Sequence, residues 1–218
     1  MNRIITIILF FLSTNIYSQC LGLQTGAYPS VGGIFPAPTI VNGVPTYLPN
    51  TTVTVCYSLQ SFTETGGNWL EGFDINLGSG WNISTLTPGN PPGNCAGGGG
   101  QWIWMNSVTS SATGQTVGPG WFFEDGSTLG GPVDGNPGND WGDQEPFGTN
   151  CVWNFCFQIT TNNNCIPGQS LYIGITAAGD GNWGSWLNQS CGTTPYVMLP
   201  NNSTINTQLP SLGLINHN

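Results

Sequence analysis

Apolar and polar residues alternate with period two along much of this chain, and nowhere does a 3.6-residue apolar period persist for three turns. Thr51–Phe62 sets Val53, Val55, Tyr57 and Leu59 on one face and Thr54, Cys56, Ser58 and Gln60 on the other, the pattern of a half-buried strand. Val152–Thr161 repeats it more strongly. Trp153, Phe155, Phe157 and Ile159 face one way, with Asn154, Cys156 and Gln158 opposite. Gln101–Ser110 alternates through Trp102, Trp104 and Val108, and Leu171–Ala177 points Leu171, Ile173 and Ile175 inward. Asn68–Leu77, with Trp69, Phe73 and Ile75, reads as a weaker strand, Trp121–Glu124 as a short aromatic one, and Tyr196–Leu199 as a closing one.

Turn chemistry divides these runs. Residues 86–100 carry Pro88, Pro91, Pro92 and four consecutive glycines, and 126–150 is a second long Gly/Pro/Asn/Asp loop. Residues 19–50, with five prolines, read as an extended entry segment, 51–200 as the folded domain and 201–218 as a tail. Short strands separated by turn signals predict an all-β fold, an antiparallel sandwich or jelly roll with long loops.

Residues 1–18 read as an address rather than as structure. Asn2 and Arg3 precede the apolar run Ile4–Leu12 and a more polar exit to Ser18, the pattern of a secretory signal peptide. A lipoprotein site would want a small residue before Cys20, where Gln19 stands. No later run approaches the length of a transmembrane helix.

Charge then sharpens the picture. Arg3 is the single basic residue, so cleavage leaves ten carboxylates and not one Lys or Arg. Nucleic-acid binding is excluded, because it needs cations for the phosphates. A charged helical bundle is excluded for want of Lys/Glu pairs. Each Asp or Glu must be solvated, held by N–H donors or bound to a cation, because an isolated buried charge is too costly.

Seven cysteines follow the signal. Export makes disulfides the leading reading. Zinc is disfavoured, since His217 is the only His and no CxxC occurs. Cys56 and Cys156 share the polar faces of their strands and are expected to bridge them, with Cys95–Cys151 and Cys165–Cys191 as loop staples and Cys20 left over.

The ordered motifs Cys56-Tyr57-Ser58, Asn68-Trp69-Leu70-Glu71-Gly72, Gly78–Trp81, Trp102-Ile103-Trp104, Gly118–Glu124, Asp134–Asn139, Cys151–Cys156 and Gly179-Asp180-Gly181 span about residues 50–195. This pattern resembles a cysteine- and tryptophan-rich extracellular domain in large surface proteins of gliding bacteria, proteins labelled gliding-motility-associated or type IX-secreted. The resemblance implies a secreted β-sandwich displayed at the cell surface, beside other β-modules. Such proteins usually end in a basic sorting domain. This chain ends at His217-Asn218 without one, so the expected location is outside the cytoplasm, at the surface or in the periplasm.

Three sets of residues could carry function. Asp134, Asn136, Asn139, Asp140, Asp143 and Glu145 lie within twelve residues, with Asp180 on a second Gly-rich loop, and such oxygen-rich loops suit Ca²⁺. The EF-hand pattern fails, since Asn139 stands where Gly is required, and Asn/Asp/Gly loops also form for turn reasons alone. Trp141, Trp183 and Trp186 sit in polar loops, where they could stack on sugars, anchor a protein partner or fold back as lids; Trp102, Trp104 and Trp153 read as core. Glu71, Glu124, Asp125, Glu145 and Asp180 supply the carboxylates that glycoside hydrolysis needs, but no Ser-His-Asp set or phosphate loop exists.

The reading that fits is a secreted, non-catalytic β-sandwich module for adhesion, ligand binding or surface assembly, with a surface protein or a glycan as partner. A carbohydrate-binding module and a carbohydrate-active enzyme using Glu124 are the competing readings.

Overall fold

The computed structural model describes residues 20–24, 33–62, 69–95, 100–125, 134–144, 151–164, 166–180 and 196–206. Among them no α-helix occurs, and no helix is long and apolar enough to cross a membrane. The strands are β1 (Cys20–Gln24), β2 (Gly33–Phe35), β3 (Thr39–Val41), β4 (Val44–Tyr47), β5 (Thr52–Phe62), β6 (Leu70–Leu77), β7 (Trp81–Pro88), β8 (Gln101–Met105), β9 (Val108–Thr109), β10 (Thr116–Val117), β11 (Gly120–Glu124), β12 (Trp153–Thr161), β13 (Ile173–Gly179), β14 (Tyr196–Leu199) and β15 (Thr204–Ile205).

Two antiparallel sheets face each other. The first runs β1-β5-β12-β7, with β2 also on β5; the second runs β14-β13-β6-β11-β8. The alternation that marks β5 and β12 gives the first sheet its inner face. Val53, Val55 and Leu59 of β5 and all four apolar side chains of β12 are buried. From the second sheet, Phe73 stacks on Phe155 with ring centroids 4.3 Å apart, and Trp102 meets the same ring edge-on at 4.9 Å. Each fully buried large side chain contributes roughly 1.5–3 kcal/mol of transfer free energy. An aromatic cross-sheet core of this kind holds the layers without any ion pair. Trp102 and Trp153 belong to the core, and Trp104 packs half-buried against Trp121.

Residues 19–50 do more than lead in. They supply β1 and β2 to the edge of β5, and β3 and β4 to a small sheet whose third strand, β15, lies parallel to β4. Strand β7 falls where a loop is expected from residue 86 onward; of its eight residues only Trp81 is buried, so its sequence carries little alternation.

Cys56 and Cys156 are direct partners on β5 and β12 and form a disulfide with Cα atoms 4.2 Å apart. Cys95–Cys151 is the second bridge, with a Cα separation of 6.0 Å. The 6.0 Å separation lies inside the usual span of about 4.4–6.8 Å, and the 4.2 Å separation just below it. The Cys165–Cys191 pairing falls outside the described residues, as do residues 1–18.

Candidate functional site

Six acidic side chains are buried at one end of the sandwich: Glu71, Glu124, Asp125, Asp140, Asp143 and Asp180. The topology gathers them. Strand β6 is antiparallel to both neighbours, so its start meets the ends of β11 and β13. Glu71 is the second residue of β6, Glu124 closes β11 with Asp125 behind it, and Asp180 follows β13. The segment 134–144, with a single 3₁₀ turn at Pro137–Asn139, lies across this end and adds Asp140 and Asp143.

A β-bulge aims Glu71. Ala178 pairs with Gly72 but Gly179 pairs with Leu70, so β6 carries one residue more than β13 at this step. Leu70 and Phe73 consequently both reach the core, and Glu71 and Gly72 are the two residues between them. Bulges re-aim side chains in this way, often beside functional sites. The segment 134–144 sits tightly on the start of β6. At Gly142 a Cβ would lie 2.7 Å from Leu70 O and from the Trp69 carbonyl, so no larger residue fits without displacement.

The carboxylates divide by what they touch. Asp143 accepts from Cys95 N at 2.8 Å on both oxygens, from Trp102 Nε1 at 3.1 Å and from Trp153 Nε1 at 2.7 Å. Trp102 belongs to the second sheet and Trp153 to the first, so this one anion ties the layers together. Asp180 accepts from Trp69 N and Gly142 N, both at 3.0 Å, which pins the covering segment to β13. These are the backbone and side-chain donors that a chain whose single basic side chain is Arg3 must use.

Glu124, Asp140 and Glu71 are supplied far less well. Oε1 of Glu124 accepts from Asp134 N at 3.0 Å and Gly135 N at 2.9 Å, and Oδ2 of Asp140 accepts from Asp125 N at 3.0 Å. Oε2 of Glu124, Oδ1 of Asp140, Oδ1 of Asn139 and both oxygens of Glu71 are buried without a hydrogen-bond partner. All five are acceptors. Burial, then the charges of Asp180 and Asp140, push the Glu71 carboxyl well above its usual range. Burial likewise raises Asp140 to about 7, helped by the charge of Glu124, a side-chain hydrogen bond shared with Glu124 and the charge of Asp125, against the opposing hydrogen bond from Asp125 N.

The ligand set expected for Ca²⁺ is therefore not gathered as one cage. Asp134 caps its own loop, accepting from Asn136 N at 2.9 Å and Asn139 Nδ2 at 3.2 Å, and Oδ1 of Asn136 accepts from Gly138 N. Asp143 and Asp180 are bound by N–H groups, and only Asp140 joins the donor-poor group. Among the described residues no three His, Cys, Asp or Glu side chains stand as a finished metal-ligand group. Glu71 and Glu124 were absent from the expected ligand set, because sequence distance hides what β6, β11 and a bulge bring together. Trp141 rests half-buried against Trp69 at 5.4 Å, while Trp183 and Trp186 fall outside the described residues.

A second feature lies on the outer face of the first sheet. Strand β7 pairs with β12 only as far as Phe157, opposite Pro88, and the chain then leaves through Pro91, Pro92 and Gly93. Between that wall and the strands runs an open groove of 620 Å³. Thr54, Asn154 and Gln158 line it, with Asn90 on the wall and the Cys56–Cys156 disulfide across the floor. Gly89 lets the wall approach: its N–H donates to Cys156 O at 2.8 Å, and a Cβ there would lie 3.0 Å from Cys156 Cβ. Ser58 Oγ donates to Asn154 Oδ1 at 2.6 Å and Gln158 Nε2 to Thr54 Oγ1 at 3.1 Å, so the amides are oriented while Asn154 and Gln158 stay exposed. No charged side chain lines this groove. Only the alternation of β5 and β12 hinted at it, by marking which residues face outward.

No family model, curated protein or solved structure matches the chain.

Proposed function

We propose that this chain is an exported, non-catalytic β-sandwich module that binds a neutral, hydroxyl-rich polymer, a glycan, in the groove between Pro88–Gly93 and β12. The observation that carries the reading is the groove itself. Its volume of 620 Å³ is that of a ligand site, and its polar groups are uncharged amides and a hydroxyl held by their neighbours. Amides donate and accept at once, as paired hydroxyls require. The acidic chain would repel acidic polymers, which favours a neutral one.

Two further points support the reading, one for the non-catalytic part and one for export. Glu124, the carboxylate the enzyme reading relies on, is 2% exposed and has one oxygen held by two backbone N–H groups beneath segment 134–144. That burial and those bonds favour a structural role for it over contact with a polysaccharide. The disulfides suit an oxidising compartment, and placement at a cell surface beside other β-modules, as the motif resemblance implies, is part of the same proposal.

A glycan array probed with the mature protein tests this reading. Retention on neutral glycans, weakened in Asn154→Ala and Gln158→Ala, is the expected result. Binding that ignores both substitutions would place the ligand elsewhere and contradict it.

A further inference from the structure

A chain with ten carboxylates and a single basic side chain, Arg3, has buried six of them at one end, and the protein supplies donors for only some. Asp143 and Asp180 are met by N–H groups. Five oxygens on Glu71, Glu124, Asn139 and Asp140 are not, although all five are inaccessible to water. Leaving one such acceptor without a partner costs about 1–3 kcal/mol, more when it is charged. A proton shared between Asp140 and Glu124 relieves that pair, but it leaves both oxygens of Glu71 and Oδ1 of Asn139 unserved.

We infer that Glu71, Glu124 and Asp140 are the carboxylate ligands of a divalent hard-cation site, suited to Ca²⁺, buried between the start of β6, the end of β11 and segment 134–144. Glu71 is the independent witness. It is 0% exposed, neither oxygen has a partner, and a β-bulge takes it out of the alternation that would have set an apolar residue there. Strand β6 begins where β11 and β13 end, so Glu71 stands at the same end of the sandwich as Glu124 and Asp180. Among the described residues no three such side chains stand as a finished ligand group, so Glu71 must turn toward Glu124 and Asp140 to complete one. Moving Glu71 to close it breaks no hydrogen bond, because Glu71 makes none.

The donor set chooses the ion. All the waiting atoms are oxygens, and Ca²⁺ takes six to eight of them in flexible geometry, including amide and main-chain carbonyls, whereas Mg²⁺ keeps several waters that this dry site has little room for. Zinc would want His or thiolate, and neither is present. The Oδ1 atom of Asn139, beside Asp140, is the fourth side-chain oxygen on offer. The ion would clamp segment 134–144 to the ends of β6 and β11, a role separate from the groove.

The test uses the mature chain stripped with EDTA and then returned to CaCl₂, followed by thermal melting and calorimetric titration with CaCl₂. A higher melting temperature in Ca²⁺, by mass action on the folded state, is expected. Glu71→Gln and Asp140→Asn should lose that shift, yet melt above the parent in EDTA, since each removes a carboxyl whose charged form burial disfavours. Asp134→Asn, in the exposed loop, should keep the shift. Identical melting in Ca²⁺ and EDTA with no saturable heat would overturn the site. So would a shift abolished by Asp134→Asn and kept in Glu71→Gln. If Glu71→Gln does not fold, loss of titration heat in Glu124→Gln supports the site, and unchanged heat overturns it.

Discussion

The indole N–H of Trp153 donates to Oδ2 of Asp143 at 2.7 Å, deep between the two sheets. Trp102 from the opposite sheet and the backbone of Cys95 donate to the same carboxylate. Asp143→Asn keeps the volume but replaces one accepting oxygen by a donating amide that faces donors. Hydrogen bonds to a charged group contribute about 1.5–3 kcal/mol each. Chemical denaturation should therefore show a loss of at least about 2 kcal/mol, equal in Ca²⁺ and EDTA, because this carboxylate is structural.

That assignment marks what the sequence could and could not convey. The strands of β5, β12 and β13 were legible because each sets a row of large apolar residues on alternate positions, and those rows are the core. Strand β7 was not, since Asn82, Ser84, Thr85 and Thr87 give it no apolar face and Ile83 is 55% exposed. The pairing of Cys56 with Cys156 was legible from shared parity. The acidic end was legible only as an excess of charge. The cluster at Asp134–Glu145 looked like one ligand loop, but Asp143 points to two indoles, Asp134 caps a turn, and Asp140 meets Glu124 and Asp125 from residues far back in the chain. Glu71 enters through a bulge, which leaves no mark in an alternation already broken by Gly72.

Acidity should stabilise the metal-free protein. Glu71 and Asp140 hold their protons to higher pH in the folded chain than in the unfolded one, where carboxyls titrate near about 4. Between that value and about 7 for Asp140 the folded state binds more protons, so stability is full below the window and is lost as pH rises through it. In EDTA the melting temperature should be higher at about pH 5 than at about pH 8. A melting temperature that rises steadily over that interval would contradict the burial of these groups.

The Cys56–Cys156 bridge closes a sequence separation of 100 residues. Cross-links of that span restrict the unfolded chain strongly, about 4–5 kcal/mol in the chain-entropy account and typically about 2–4 in practice. The double variant Cys56→Ala with Cys156→Ala should lose stability by that order in equilibrium unfolding. It should also widen the groove floor and lower glycan retention.

Groove substitutions should separate binding from folding. Gln158 and Asn154 are exposed and bond only to the side chains of Thr54 and Ser58 among the described contacts. Gln158→Ala should shift the melting temperature little, since surface changes usually stay within about 0.5 kcal/mol. Glycan affinity, read by affinity electrophoresis, should fall severalfold.

Retention and cleavage measured on the same neutral polysaccharides, with parent and Glu124→Gln protein side by side, test the central claim most directly. A binding module with buried, non-catalytic carboxylates retards in the gel and releases no reducing ends, and Glu124→Gln releases none either. Reducing ends that accumulate with the parent and vanish in Glu124→Gln would contradict the account and make Glu124 a catalytic acid.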